Sequence, residues 1–512
     1  MTAVAYIADL IDAHAARTPD ARAIACEGHS LTWRALAERM DRVAAALGAI
    51  GVGAGDKVAI LAPASVEYIE CFLGATTAGA CAVPLPASAT PDALAAMIRD
   101  CEAKVLVLGD ELRPVVAPFA QELADRLRGG LVALDFAAPG WLEYGVWLDA
   151  APRGRPRPPL RDDLPFNIIY SSGTTGVPKG IVHDQGMRRR HAFRPGFDYN
   201  PSSVTLLATP AYSNTTLLPL LSAFGAGGAA LLMRKFDAGR YLALAEAERV
   251  THTMLVPVQY QRILAHPDFA RRDLSAFKVK QSTGAPFAAA LKRELLDRWP
   301  GRLVEIYGMT EGGCTCLLDA GAHPDKLATV GRPAPDNDIR IIDEAGRELP
   351  PGETGEVVGR SPYMMAGYYK RPEATEALYW RDRDGRAFHR TGDVGRFDAD
   401  GFLVLLDRKK DVIISGGQNV YAADLEAVLG SHPEVADVAV IGVPSEQWGE
   451  TPLALVVSRA GSHPDAGALR DWANARLGRM QRLSAVELRA ELPRSALGKV
   501  LKRELRAAYW TR

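Results

Sequence analysis

Through the first three fifths of the chain, short aliphatic and β-branched runs alternate with longer stretches of helical spacing. No other feature restricts the fold as strongly. The runs are KVAIL (57–61), KVLVLG (104–109), FNIIY (166–170), VTLLAT (204–209), THTMLVP (251–257) and RLVEIYG (302–308). They are short and largely apolar, as strands buried on both faces are. Between them, segments such as SVEYIECFLGATTAG and PFAAALKRELLDRW carry the helical pattern. Strand–helix alternation calls for parallel sheets with helices on their faces, and it puts ligands at the carboxyl ends of the strands. A chain of 512 residues has room for at least two domains.

From about Thr329 the pattern changes to short strands joined by Gly- and Asp-bearing turns, the mark of a small β-rich subdomain. A further α/β unit follows Asp411, and the domain boundary is expected near Asp407, giving 1–406 and 407–512. The segment 151–163, APRGRPRPPLRDD, reads as a connector. Tyr199 to Met233 carries no charge and resembles a membrane span, but Pro219, Gly225, Gly227 and Gly228 interrupt it. A buried helix turning into a buried strand is the better reading. The N-terminal stretch has acids at Asp9 and Asp12 and no basic start, so it reads as an amphipathic helix rather than a signal peptide.

Sixty basic against sixty-one acidic residues leave a formal charge of -1, which offers nucleic acid no general field. Six scattered cysteines make no disulfide framework and point to a reducing, cytoplasmic setting. Cys314 and Cys316 have no second pair with which to hold zinc.

Straight after FNIIY comes the hydroxyl-rich loop YSSGTTGVPKG, Tyr170 to Gly180. A nucleotide-triphosphatase loop needs four residues between its first glycine and Gly-Lys, and this spacing fails that test. Pro178 also biases Val177 away from helix. The parts still suit phosphate: glycines aim backbone N–H groups inward, hydroxyls donate, and Lys179 adds charge. On these residues alone, a phosphate seat and a plain surface turn both stay open.

Together with four later motifs, the loop resembles the signatures of the adenylate-forming superfamily, which includes acyl-CoA synthetases. IYGMTEGG (306–313) is similar to the adenine and magnesium motif, and RTGDVGRFDADGF (390–402) to the ribose motif. LDRKKDVIISGGQNV (406–420) resembles the hinge and thioester loop, and LPRSALGK (492–499) the C-terminal lysine motif. The resemblance implies an α/β fold: a large N-terminal domain of two doubly wound subdomains plus a small β-barrel-like one, then a small mobile α+β C-terminal domain. It implies an ATP-dependent acid–CoA ligase using Mg²⁺, with CoA as co-substrate and a fatty, aromatic or alicyclic acid. Acyl-AMP ligation to a separate carrier protein, or a catalytically inactive nucleotide-binding regulator, are the alternatives. A homo-oligomer is common in such families; no nucleic-acid partner and no transmembrane segment are expected.

The substrates of such a reaction bring their own nucleophiles, so the protein supplies positioning and charge. No G-x-S-x-G, H-E-x-x-H or G-x-G-x-x-G motif is found, in agreement. By the resemblance, Ser171, Ser172, Gly173, Thr174, Thr175, Gly176 and Lys179 cradle the phosphates. Tyr307, with Gly308 and Met309, takes one side of adenine, and Gly284, Ala285 and Pro286 the other. Thr310 contacts the α-phosphate, while Glu311 and Thr175 serve the metal. Asp393 and Arg408 hold the ribose, and Asn419 contacts AMP. Lys499 is the catalytic cation, with Thr310 and Glu311 beside it, and Asp407 is the hinge.

Ser415, Gly416 and Gly417 let pantetheine pass, and Trp448 and Arg482 meet the rest of CoA. For Trp448 a packing role is nearly as good a reading. The acyl pocket is expected at Tyr212, Ser213, Asn214, Gly284, Gly312 and Gly313; many relatives carry a histidine near the first three, so the acid itself is not implied. The basic run MRRRHAFRP (187–195) could meet CoA phosphates, but a solvated helical face is the preferred reading.

Overall fold

The computed structural model describes residues 5–127, 130–154, 157–171, 178–415, 418–478, 481–495 and 498–510. Two large sheets form the body. One has eight strands in the order Gly367–Tyr368, Lys179–Asp184, Pro165–Ser171, Cys81–Pro84, Lys57–Leu61, Ala103–Leu108, Leu131–Ala133, Leu142–Glu143. The other has nine, with Arg302–Gly308, Val279–Ser282, His252–Leu255, Val204–Leu207 and Ala229–Leu232 as its parallel centre. All six expected runs are strands. Their alternating helices bury apolar faces on both sheets, as the uniform hydrophobicity of the strands demands.

Local chemistry sets the boundaries. Ser65 caps the helix Val66–Thr77 by accepting from Tyr68 N at 3.1 Å, and Asp184 caps Gln185–Ala192 by accepting from Met187 N at 2.6 Å. The uncharged stretch resolves into the strand Val204–Leu207, the helix Asn214–Ala226 with Pro219 inside it, and the strand Ala229–Leu232. Among the described residues no helix is long and apolar enough to cross a membrane. The N-terminal helix, Ile7–Arg17, buries Ile7, Ala8, Ile11 and His14. The strand Arg22–Cys26 then inserts parallel to Ala229–Leu232, a pairing across two hundred residues that local pattern does not announce.

A five-stranded antiparallel sheet follows, built from Asp338–Ile342, Gly355–Arg360, Ala387–Phe397, Tyr379–Arg381 and Leu403–Arg408. The C-terminal unit has its own sheet, Gln418–Val420, Ile413–Ser415, Gly449–Ser458 and Val435–Ser445, with Ala485–Arg489 parallel to Gly449–Ser458. Its separate core includes Ile413, Leu425, Val440, Val456 and Leu469.

The hydroxyl-rich loop leaves the carboxyl end of Pro165–Ser171 and returns antiparallel as Lys179–Asp184. It therefore joins two strands, whereas a triphosphatase loop leads into a helix. Ser172 to Gly176 lie outside the described residues, as do Gly416 and Gly417.

Candidate active site

The strand Arg302–Gly308 ends in Tyr307, and the long strand Ala387–Phe397 carries Asp393; both reach one spot. Tyr307 donates its hydroxyl to Asp393 Oδ2 at 2.6 Å, and Arg408 Nε pairs with Asp393 Oδ1 at 2.6 Å. Ladder register makes the second contact inevitable, since Asp393 and Arg408 stand opposite each other on neighbouring strands. Burial, and then the nearby Cys314 and Asp393, raise the Tyr307 phenol well above its ordinary range, so it remains a neutral donor.

After Gly308 the chain turns through Met309, Thr310 and Glu311. Glu311 Oε1 accepts from Tyr368 at 2.8 Å; its other oxygen has no protein partner among the described residues. Lys179 sits 5.1 Å from the centre of the same Tyr368 ring. One tyrosine thus links the lysine of the loop to the carboxylate expected to serve a metal. Gly312 is irreplaceable here. Its φ is +73°, and a Cβ would come within 1.7 Å of the Tyr363 carbonyl. Gly313, at φ +87°, is also tightly placed: a Cβ there would come within 2.8 Å of the Gly359 carbonyl.

Beneath this turn runs a buried polar network. Arg188 donates through Nε to Asn167 Oδ1 and through Nη2 to Asn214 Oδ1, each at 2.8 Å, and through Nη2 to His183 Nδ1 at 2.9 Å. His183 Nδ1 also faces the Asn167 amide at 3.3 Å, so it accepts, and Nε2–H donates to the Thr310 carbonyl at 2.8 Å. Burial, then Arg188, hold His183 far below the usual histidine range and keep it neutral. The solvated face expected for residues 187–195 is therefore wrong at its centre: Arg188 is completely buried, and Met187 and His191 with it. A run of three arginines is locally hydrophilic, and its burial depends on partners far along the chain.

Lys499 arrives from the C-terminal unit on a tight turn. Ser495 N donates to the Lys499 carbonyl at 2.8 Å, and Ser495 Oγ accepts from Lys499 N at 3.2 Å. Gly498, at φ +76°, lies so close to the body that a Cβ would meet Val258 Cγ1 at 2.6 Å and Val256 Cγ2 at 3.8 Å. Val256 also lies 3.6 Å from the Cβ position of Gly284. The lysine turn and the Gly284–Ala285–Pro286 turn thus meet across one valine. Burial and the neighbouring Arg408 lower the Lys499 pKa, whereas Asp393 opposes them, which puts the ammonium within electrostatic reach of both ribose-motif residues.

Asp407 accepts from Arg408 N and from Ala422 N, each at 2.8 Å, and so ties the last strand of the body to the start of the helix Ala422–Gly430. Ser415 pairs with Gly449, which brings Trp448, 45% exposed, beside the strand that leads into 416–417. Arg482 and Asn419 are exposed on the same unit. Among the described residues no hydrogen bond or ion pair joins Trp448, Arg482 or Asn419 to the Tyr307–Asp393–Arg408 group.

In the expected acyl pocket, Thr215 lies 3.8 Å from the Cβ position of Gly284. The Tyr212 hydroxyl is 3.5 Å from Ser88, and Ser213 turns its hydroxyl to the Pro210 carbonyl at 2.8 Å. Reasoning from sequence missed Asn167, His183, Arg188 and Tyr368. The only signal for Tyr368 was an aromatic pair, Tyr368–Tyr369, in a β-rich segment.

A family model described as AMP-binding enzyme matches residues 11–369, and one described as AMP-binding enzyme C-terminal domain matches 424–499. The chain is 36% identical over 496 residues to a feruloyl-CoA synthase of Amycolatopsis sp, covering 96% of each chain. It is 35% identical over 512 residues to an indoleacetate–CoA ligase of Aromatoleum aromaticum, covering 98% of this chain and 97% of that one. Its fold is similar to the ATP-bound crystal structure of MatB from Rhodopseudomonas palustris, with TM-score 0.87, 29% identity and coverage of 98% and 99%.

Proposed function

From membership of the AMP-binding enzyme family, to which this chain belongs as an AMP-forming acid–CoA ligase, we propose how its residues divide two half-reactions. In the first, the acid's carboxylate attacks the α-phosphorus of ATP and pyrophosphate leaves. In the second, the CoA thiol attacks the acyl carbon and AMP leaves. Lys499 is the catalytic cation of the first step, because charge spreading over the phosphoryl oxygens is stabilised by a fixed ammonium. The observation that carries this reading is the docking of Gly498 on Val256 and Val258, which keeps Lys499 beside Asp393 and Arg408.

Asp393 offers both oxygens to ribose hydroxyls, with Arg408 fixing its orientation. Tyr307 and Gly308–Met309 face adenine on one side, and Gly284, Ala285 and Pro286 on the other. Thr310, its carbonyl held by His183, presents its hydroxyl to the α-phosphate. The loop Ser171–Gly176 with Lys179 takes the outer phosphates. Glu311, one oxygen steadied by Tyr368 and the other without a protein partner among the described residues, fits Mg²⁺, a hard ion that prefers one or two carboxylates plus phosphate oxygens. When bound, the ion neutralises phosphate charge; Thr175 is its second candidate ligand.

For the thioester step the C-terminal unit, 407–512, turns about Asp407, withdrawing Lys499 and presenting Ser415–Gly417 to the acyl-adenylate. Exposed Trp448 beside that strand supports a stacking role toward CoA, with Arg482 on its phosphates and Asn419 on AMP. The acid is aromatic, fatty or alicyclic, seated near Tyr212, Asn214, Gly284, Gly312 and Gly313. Six buried free cysteines support a reducing, cytoplasmic setting.

Pyrophosphate release from ATP, measured over a panel of acids with and without CoA, tests the scheme. Acid-dependent release with acyl-CoA accumulation is expected. Release with no thioester until a carrier protein is added would replace CoA as the acceptor, and nucleotide binding without release would abolish the scheme.

A further inference from the structure

Arg194 follows the helix Gln185–Ala192 and is an unusual cation. Its guanidinium lies over the Phe197 ring at 5.2 Å, and among the described residues it makes no hydrogen bond and no ion pair. It is half-buried with a solvent-reachable surface, and burial is the main influence lowering its pKa. The groups that oppose that shift are two phenols, Tyr363 and Tyr199, and no carboxylate is among them. Asp198, close in sequence, is held instead by Arg302 at 2.9 Å.

Among the described residues no carboxylate is bonded to these cations, and Asp184 acts on Arg188 only at a distance. Arg188 is wholly buried with Nη1 unpartnered, and its bonded partners are neutral amides and a neutral imidazole. His191 is buried too, its Nδ1 unpartnered, and burial with both arginines keeps it neutral. The nearby carboxylate, Asp184, is committed to capping its own helix. Uncompensated buried cations are costly, and a partner from outside removes that cost.

The position identifies the partner. Tyr363 stacks on His191 with ring centres 4.9 Å apart, and its carbonyl is the atom that crowds Gly312. Tyr199 accepts from Gln281 at 3.0 Å, three residues before Gly284, and packs in one cluster with Leu218 of the helix Asn214–Ala226. Phe197, under the Arg194 guanidinium, packs in the same cluster as Tyr199 and Leu218, which brings Arg194 to one end of the segments expected to wall the acyl pocket.

We infer that Arg194, with Arg188 behind it, closes the far end of the acyl recess and receives a second carboxylate on the acid, so that the enzyme's substrates are dicarboxylic acids. This rests on the ligase reading above. A bidentate Arg–carboxylate pair gives the recess a direction as well as a charge: the far carboxylate is anchored and the near one faces the α-phosphorus.

The test compares kcat/KM for pyrophosphate release within matched pairs: hexanoic with adipic acid, octanoic with suberic acid, and 3-phenylpropionic acid with its 4-carboxy derivative. The wild type is expected to favour the diacid of at least one pair by about tenfold or more. Arg194→Met is expected to lower the diacid's kcat/KM by roughly 100-fold and to raise that of its monoacid partner, with Arg194→Lys restoring part of the preference. Preference of the wild type for the monoacid in every pair overturns the inference and leaves the ligase reading intact. So does an equal loss for both members in Arg194→Met, which is what a purely structural arginine gives. Absence of pyrophosphate release with every acid removes the ligase reading and this inference together.

Discussion

The two sides of the nucleotide cleft are built in opposite ways. On the body, Asp393 is buried and held by two partners, Tyr307 and Arg408, each at 2.6 Å. On the C-terminal unit, Lys499 reaches far enough into the cleft for burial to lower its pKa yet keeps solvent-exposed surface, and only its backbone is tied, to Ser495. Its ammonium makes no hydrogen bond or ion pair among the described residues. On the proposed division of the two half-reactions, groups that bind both ATP and AMP gain from being locked in place. A charge wanted only while phosphorus is attacked gains from a turn that can leave. The contrast lies between a preorganised acceptor and a delivered donor.

The most forceful way to break that contrast is to remove the delivered charge. Lys499→Ala is expected to slow pyrophosphate release by about 100- to 1000-fold, while thioester formation from supplied acyl-AMP and CoA stays near wild type. Equal losses in the two assays would make Lys499 part of the fixed scaffold. Removing the fixed acceptor should act on both: Asp393→Ala deletes a carboxylate with two bonded partners, and nucleotide binding is expected to weaken by roughly 10- to 100-fold, read as KM for ATP and as inhibition by AMP.

A smaller change separates delivery from charge. Gly498→Ala keeps the ammonium but sets a methyl 2.6 Å from Val258 on a left-handed backbone. About a tenfold loss confined to adenylation is expected, and Val258→Ala in the same chain should recover part of it. The mildest effect concerns pH. In the proposed scheme Lys499 acts as the protonated form, and burial with Arg408 lowers its pKa below the ordinary lysine value. Its ammonium is therefore lost at a lower pH than a free lysine's. The alkaline limb of the adenylation profile should fall below the ordinary lysine range, and Arg408→Gln should move it upward. The thioester step should lack that limb.

Much of the body was legible beforehand. The six apolar runs became strands because burial on both faces leaves a short segment few alternatives. The uncharged stretch gave up its membrane likeness to Pro219 and its glycines for the same local reason. Arg188 shows the opposite case. Its neighbours Arg189 and Arg190 made it look solvated, and nothing within ten residues names Asn167 or Asn214 as partners. The strand Arg22–Cys26 was missed likewise, since its partner Ala229–Leu232 lies two hundred residues away.

By itself the sequence determined the strand–helix rhythm, the order of the five motifs and the residue types proposed to meet ATP, because periodicity and motif chemistry are properties of neighbours along the chain. Tertiary structure alone decided that Arg188 is buried and Arg194 half-buried with no carboxylate bonded to either among the described residues, that Tyr368 steadies Glu311, and that Gly498 rests on Val256 and Val258. Burial, pairing and electrostatic reach depend on distances in space, and the chain acquires those only when remote segments pack together.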